Sequence, residues 1–111
     1  MKSLDLALKY MNIFYSNTDI MALRPLLADN LVFEGPLFQF DSARAYLDSL
    51  KGDDRAGLAY KIIQSFESES SACLIYQFSK PGISVPMAQL FEIEDDKISK
   101  IVLIFDTGPF T

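Results

Sequence analysis

The sequence predicts an α+β fold in which helices cover one face of a mainly antiparallel sheet. Two observations lead there. As far as residue 58, apolar residues recur mostly at helical spacing, whereas beyond it they alternate in four runs rich in β-branched and aromatic residues. The links between those runs, Glu67 to Ser70, Pro81-Gly82 and Glu94 to Asp96, are short and favour hairpins. With 111 residues and no repeat, linker or low-complexity tract, residues 1–111 are expected to form one domain.

Residues 3–16, SLDLALKYMNIFYS, set Leu4, Ala7, Leu8, Met11, Phe14 and Tyr15 on one helical stripe, with Ser3 as N-cap and Asp5 in the first turn. Asn17-Thr18-Asp19 breaks that helix. Thr18 or Asp19 then caps a second, short helix that Pro25 is expected to end or kink near Leu23 or Arg24. Leu31 to Glu34 reads as a short strand stopped by Gly35-Pro36, and Asp41-Ser42 caps a third helix, ARAYLDSLK, closed by Gly52. The four strand runs are AYKIIQSFE (59–67), SACLIYQFS (71–79), SVPMAQLFEIE (84–94) and KISKIVLIFD (97–106).

Alternation divides these strands into faces. One face carries Tyr60, Ile62, Gln64 and Phe66, then Ala72, Leu74, Tyr76 and Phe78, then Val85, Met87, Gln89, Phe91 and Ile93, and finally Ile101, Leu103 and Phe105. The opposite face of the last two strands is also substantially apolar. Helices on one side would leave it wet, so a homodimer through the sheet is expected, against the plainer reading of scattered exposed side chains.

Composition removes several function classes. The net charge is −5 and the basic residues are scattered, so no nucleic-acid partner is expected. No apolar run approaches the roughly 20 residues needed to span a bilayer. The N-terminal MKSLDLALKY reads as an amphipathic helix and not a signal peptide, so the expected compartment is the cytoplasm. With no histidine, nucleophiles that depend on an imidazole base are excluded, as are imidazole-built zinc sites. The single Cys73 lies in an apolar strand pattern and reads as a small buried hydrophobe. No metal site and no cofactor are expected, and Asp95-Asp96 reads as a turn.

What remains is one conspicuous polar residue. In VPMAQLFEI, Gln89 stands alone on the apolar face, as a core amide with a partner or as the polar contact of a pocket. An unpaired buried amide would cost about 1–3 kcal/mol, so it must have a partner. A pocket there would be walled by Met11, Phe14, Phe33, Tyr46, Tyr60, Leu74, Tyr76, Met87, Phe91, Leu103 and Phe105. Broad aromatic and methionine faces suit a flat apolar guest bearing an oxygen function.

The order of elements, together with FYSNTDIMALRPLLADNLVFEGP, FDSARAYLDSL and the last hairpin FEIEDDKISKIVLIFD, resembles the SnoaL-like branch of the nuclear-transport-factor-2-like superfamily. The resemblance implies a conical barrel of strongly curved sheet wrapped around the helices, with an apolar cavity between. It says little about chemistry, because this fold carries enzymes, binding modules and association domains alike. In the ketosteroid isomerases of that superfamily, the catalytic aspartate falls at Gly35 of this chain and the oxyanion-binding aspartic acid at Gln89. Their first-helix tyrosine falls near Met11, with Tyr10 and Tyr15 offset, so steroid isomerisation is not expected. Glu34 beside Gly35 is expected on the opposite face. The SnoaL-type cyclases imply instead Asp106, eight positions after Ile98, as an acid/base residue. The competing role for Asp106 is to cap the turn it makes with Thr107 and Gly108.

Three functions stay open on sequence alone. The leading one is a small-molecule-binding domain. The others are an isomerase, cyclase or dehydratase using Asp106, and a dimeric interaction module with a filled core.

Overall fold

A computed structural model describes residues 2–16 and 18–110 of the chain. The elements are α1 (Ser3–Tyr15), a 3₁₀ segment (Ile20–Leu26), β1 (Leu27–Glu34), β2 (Gln39–Phe40), α2 (Ala43–Leu50), β3 (Ala59–Glu67), β4 (Ser71–Lys80), β5 (Ile83–Glu94), β6 (Lys97–Phe105) and a final 3₁₀ turn (Gly108–Phe110). The six strands form one curved, unclosed sheet in the order β2-β1-β6-β5-β4-β3. Every neighbouring pair is antiparallel except β1 with β6. That parallel pairing needs a long connection, which α2 and the whole meander supply.

The three hairpins fall where alternation and turn residues place them. The start of the chain departs from the expected pattern. Lys2 occupies the N-cap of α1, and Ser3 lies inside the helix with its Oγ 2.8 and 2.9 Å from the carbonyls of Ser68 and Ser71. The capping acceptor comes from across the fold, where Glu67 Oε2 takes the Leu4 N–H at 2.9 Å. A carboxylate there also complements the positive end of the helix dipole. With the helix anchored this way, its buried face is Ser3, Leu6, Ala7, Tyr10 and Met11, and Leu4, Leu8, Phe14 and Tyr15 are only half-buried. The break expected of Asn17 lies outside the described residues.

Pro25 does not end the second helix. The segment is 3₁₀, capped by Asp19 through the Met21 N–H, and runs through Pro25 to Leu26. The φ fixed by proline suits 3₁₀ geometry, and a short segment loses little when one N–H is missing. The first strand begins earlier than expected, at Leu27, with an irregularity against β6 between Leu27 and Val32. The two-residue β2 has no counterpart in the sequence reading. The third helix is capped by Ser42, whose Oγ accepts from Ala45 N–H, and it ends at Leu50; Gly52 follows at φ +82°.

One β-bulge changes which residues face the core. Ile62 pairs with Tyr76, but Gln64 pairs with Ile75, so Ile63 is the extra residue and alternation flips beyond it. Gln64 and Phe66, expected on the inner face, therefore stand on the outer one, where Phe66 is 55% exposed. Cys73 pairs with Phe66 and is half-buried on that same outer face, not sealed in the core.

Helix α1 lies across β3, β4 and β5, while α2 packs on β1. A buried hydrogen bond between the Tyr10 and Tyr46 hydroxyls ties the two helices together. No helix among the described residues is long and apolar enough to cross a membrane.

Candidate functional site

Although α1 and α2 both pack on the sheet, they leave part of its inner face uncovered. The space between helices and sheet is a cavity of about 490 Å³. Its floor is the inner face of the sheet, where register sets the neighbours. Phe105 lies opposite Met87, and Leu103 opposite Gln89, which is itself opposite Leu74; Tyr76 is the diagonal neighbour of Gln89. The walls are Tyr10, Met11, Phe14 and Tyr15 of α1, Tyr46, Ser49 and Leu50 of α2, and Phe33 and Phe40. The mouth is formed by Gly35 to Phe38, Asp53 to Arg55, Leu58, Phe78, Lys80 and Phe110.

Several residues singled out from sequence come together in this lining: Met11, Phe14, Phe33, Tyr46, Tyr76, Met87, Gln89, Leu103 and Phe105. Others do not reach it. Leu74 and Phe91 are fully buried, and α1 covers Phe91 with the Tyr10 ring edge-on at 5.3 Å. Tyr60 is drawn to the helix, where its hydroxyl donates to Asn12 Oδ1 at 2.5 Å. Asp106 is exposed, away from the cavity, and its Oδ1 accepts the Gly108 N–H at 2.9 Å in the turn-capping geometry. No bulge near the end of β6 redirects it. Glu34 points to the outer face and lies 3.8 Å from Lys100.

Gln89 is only 4% exposed. Its Oε1 accepts from the Tyr76 hydroxyl at 2.7 Å, and among the described residues no acceptor takes its Nε2 hydrogens. Yet no sealed side-chain polar atom among those residues lacks a partner. The amide nitrogen is therefore not sealed, and it opens on the cavity that Gln89 lines. Gly35 lies across the same space, where an added Cβ would come 3.2 Å from the Phe33 ring.

Sequence reasoning missed one prominent residue. Arg55 is 5% exposed, lines the cavity and lies over the Phe14 ring at 5.8 Å. Its Nε donates to the Phe14 carbonyl at 2.9 Å and its Nη2 to the Thr18 carbonyl at 2.5 Å, so it also caps the C-terminal end of α1. A lone arginine after Asp53-Asp54 looks like a solvated loop residue in sequence. The unusual density of apolar residues in the loop GPLFQF was the readable sign of the mouth.

The tyrosines in and beside the cavity are held in the neutral form. Burial is the main cause for each. It raises Tyr10 well above the ordinary value of 10.0, with Tyr46 adding to the rise, and pushes Tyr15 to about 12. Tyr46 is raised although its hydrogen bond with Tyr10 and the Arg55 charge both oppose burial, and Tyr76 and Tyr60 are raised as well. A phenol with a raised folded pKa adds stability that is fully present below the unfolded value near 10.0 and is lost as pH climbs through the folded one, about 12 for Tyr15. Ultraviolet titration of the native protein is therefore expected to show Tyr10, Tyr15, Tyr46 and Tyr76 ionising above pH 10.0, late and together with unfolding. A phenolate forming in the folded protein below that pH would contradict the burial assigned to these rings.

No protein-family model and no curated protein sequence matches this chain. Solved structures do match. An NTF2-like protein of unknown function from Cytophaga hutchinsonii superposes with a TM-score of 0.83 at 22% identity, over 99% of this chain and 95% of its own. A candidate SnoaL-like polyketide cyclase from Jannaschia sp. CCS1 gives 0.78 at 10% identity, over 94% and 85%. An M. tuberculosis epoxide hydrolase resembling limonene-epoxide hydrolase gives 0.65 at 18%, over 93% and 84%. At such identities the likeness is one of fold: the chain has the nuclear-transport-factor-2-like fold.

Proposed function

We propose that the protein binds a flat, largely apolar small molecule carrying an oxygen function, with Gln89 as its polar contact, and that two copies associate through the outer face of the sheet. The observation that carries the binding reading is the Gln89 amide, held by Tyr76 on one side and open to an aromatic cavity on the other. A carbonyl oxygen presented to Nε2 would gain a hydrogen bond in a place shielded from water. Around it the lining supplies hydrogen-bond donors, the neutral tyrosines, and among the described residues its only carboxylates are Asp53 and Asp54 at the exposed mouth. Such a lining favours holding a guest over abstracting its proton, and the exposed, turn-capping Asp106 gives the enzymatic alternative no support.

The association reading rests on the outer face. There Ile75, Ala88 and Ile104 lie side by side in register, next to a row of Cys73, Leu90 and Val102, and Ile104 is 63% exposed. Such a row on an open sheet face is typical of a contact between copies.

Native mass spectrometry tests both halves in one experiment, with 2-acetonaphthone as the probe. The expected spectrum is a dimer that takes up one ketone per subunit. A monomer at micromolar concentration would reject the sheet contact, and a protein that takes up no ketone would reject the binding site.

A further inference from the structure

We propose that the amide of Gln89 reverses inside its hydrogen-bond network, so that the cavity takes flat phenols as well as flat ketones, and that the Met87 sulfur is what allows the reversal. This deepens the binding reading given above and rests on it, with Gln89 still the polar contact. The reason lies in a count of protons. The Tyr76 hydroxyl has two acceptors within reach, Gln89 Oε1 at 2.7 Å and Met87 Sδ at 3.7 Å. Burial keeps this phenol neutral, so it has a single proton and serves one of them at a time. Register holds the three side chains together, with Met87 directly opposite Tyr76 and Gln89 on the diagonal. All three are buried and both Met87 and Gln89 line the cavity.

Each choice of acceptor offers a guest a different group. With the proton directed at Oε1, the cavity meets the Nε2 hydrogens, which suit a carbonyl. With the proton turned to the sulfur, the hydroxyl oxygen faces Gln89 with a lone pair. The amide then turns half way round, so that Nε2 donates to Tyr76 and Oε1 opens on the cavity, where it suits a guest hydroxyl. The two ends of an amide are alike in size, so neither position disturbs the packing around it. Sulfur is a weak acceptor, and without a guest the first arrangement is favoured. A phenol, as a strong donor, binds the second better and shifts the balance toward it. Tyr15 is the other polar neighbour of the Tyr76 hydroxyl, but it has a proton of its own to place, whereas the sulfur has none.

Fluorescence titration separates this proposal from the reading beneath it. The parent protein is expected to bind both 2-acetonaphthone and 2-naphthol, and to bind 2-naphthol about tenfold more tightly than 2-methoxynaphthalene, which lacks the phenolic proton. Met87→Leu keeps the volume but removes the sulfur, so the reversed arrangement would strand the Tyr76 proton. The affinity for naphthol relative to the ketone should then fall about tenfold. In Tyr76→Phe, where no hydroxyl proton is left to place, adding Met87→Leu should leave that ratio unchanged. A parent that binds the ketone and not naphthol would overturn the reversal and leave the binding site standing, whereas a parent that binds neither would remove both. A ratio unmoved by Met87→Leu, a fall that persists in the Tyr76→Phe background, or a fall seen only in Tyr15→Phe would show that the sulfur does not take the proton, and the proposal would fall. Should Met87→Leu fail to fold, the parent decides alone: naphthol held no better than its methyl ether would overturn the reversal.

Discussion

Alanine in place of Phe91 is expected to destabilise the fold by about 3–5 kcal/mol, a large part of the roughly 5–15 kcal/mol that holds a domain of this kind together. Phe91 is 0% exposed and stands in the middle of β5, in register with Ala72 on β4 and Ile101 on β6. Its ring meets Tyr10 edge-on at 5.3 Å, an arrangement that adds attraction beyond simple burial. The site cannot collapse when the ring is removed. Ala72 is too short to fill it, and Tyr10 is held in place by its bond to Tyr46. Denaturant unfolding measures the loss, and a change below about 1 kcal/mol would mean that the core had relaxed around the gap. Because Phe91 does not line the cavity, whatever fraction remains folded should bind 2-acetonaphthone as the parent does. Reduced affinity in the folded variant would place Phe91 at the site after all.

The second large effect is expected at Gln89. Leucine there is close in size but removes the acceptor of the Tyr76 hydroxyl, leaving that group the Met87 sulfur at 3.7 Å. Exchanging a short bond to an amide oxygen for a weak one to sulfur inside the fold costs about 1 kcal/mol, which lowers stability. The same change removes the amide nitrogen offered to a guest. Affinity for 2-acetonaphthone should fall about tenfold, while affinity for naphthalene, which has no oxygen to hold, should stay the same or rise. Fluorescence titrations with the two probes separate the effects. Equal losses for both would mean that the cavity had changed shape, and no loss for either would remove Gln89 as the polar contact.

These residues also mark how much the sequence alone disclosed. The four strands after residue 58 were legible because alternation and turn chemistry act over a few neighbours, and their observed bounds agree to within a residue or two. Gln89 was legible for the same reason, as one amide on an otherwise greasy face. The bulge at Ile63 was not, since an extra residue in a strand exists only relative to its partner, and nothing in AYKIIQSFE marks it. Nor was the fate of Ser3, which depends on a hairpin more than 60 residues away. Arg55 escaped notice because its burial is created by the ends of α1 and of the strands meeting around it, whereas its own neighbours Asp53, Asp54 and Ala56 are all exposed. Asp106 is the reverse case. A spacing that resembles that of the SnoaL-type cyclases drew attention to a residue whose turn geometry was already implied by the Thr-Gly that follows it.

Because the sheet stays open, it ends in two bare rims, one only two residues long at β2 and the other the nine-residue β3. A long straight rim invites passing chains to add their own strands and grow into fibres. The kink at Ile63, with Lys61 just before it, breaks the even ladder of amides that such growth would copy. The same single residue that turns Phe66 away from the core thus makes the exposed border a poorer template for an added strand.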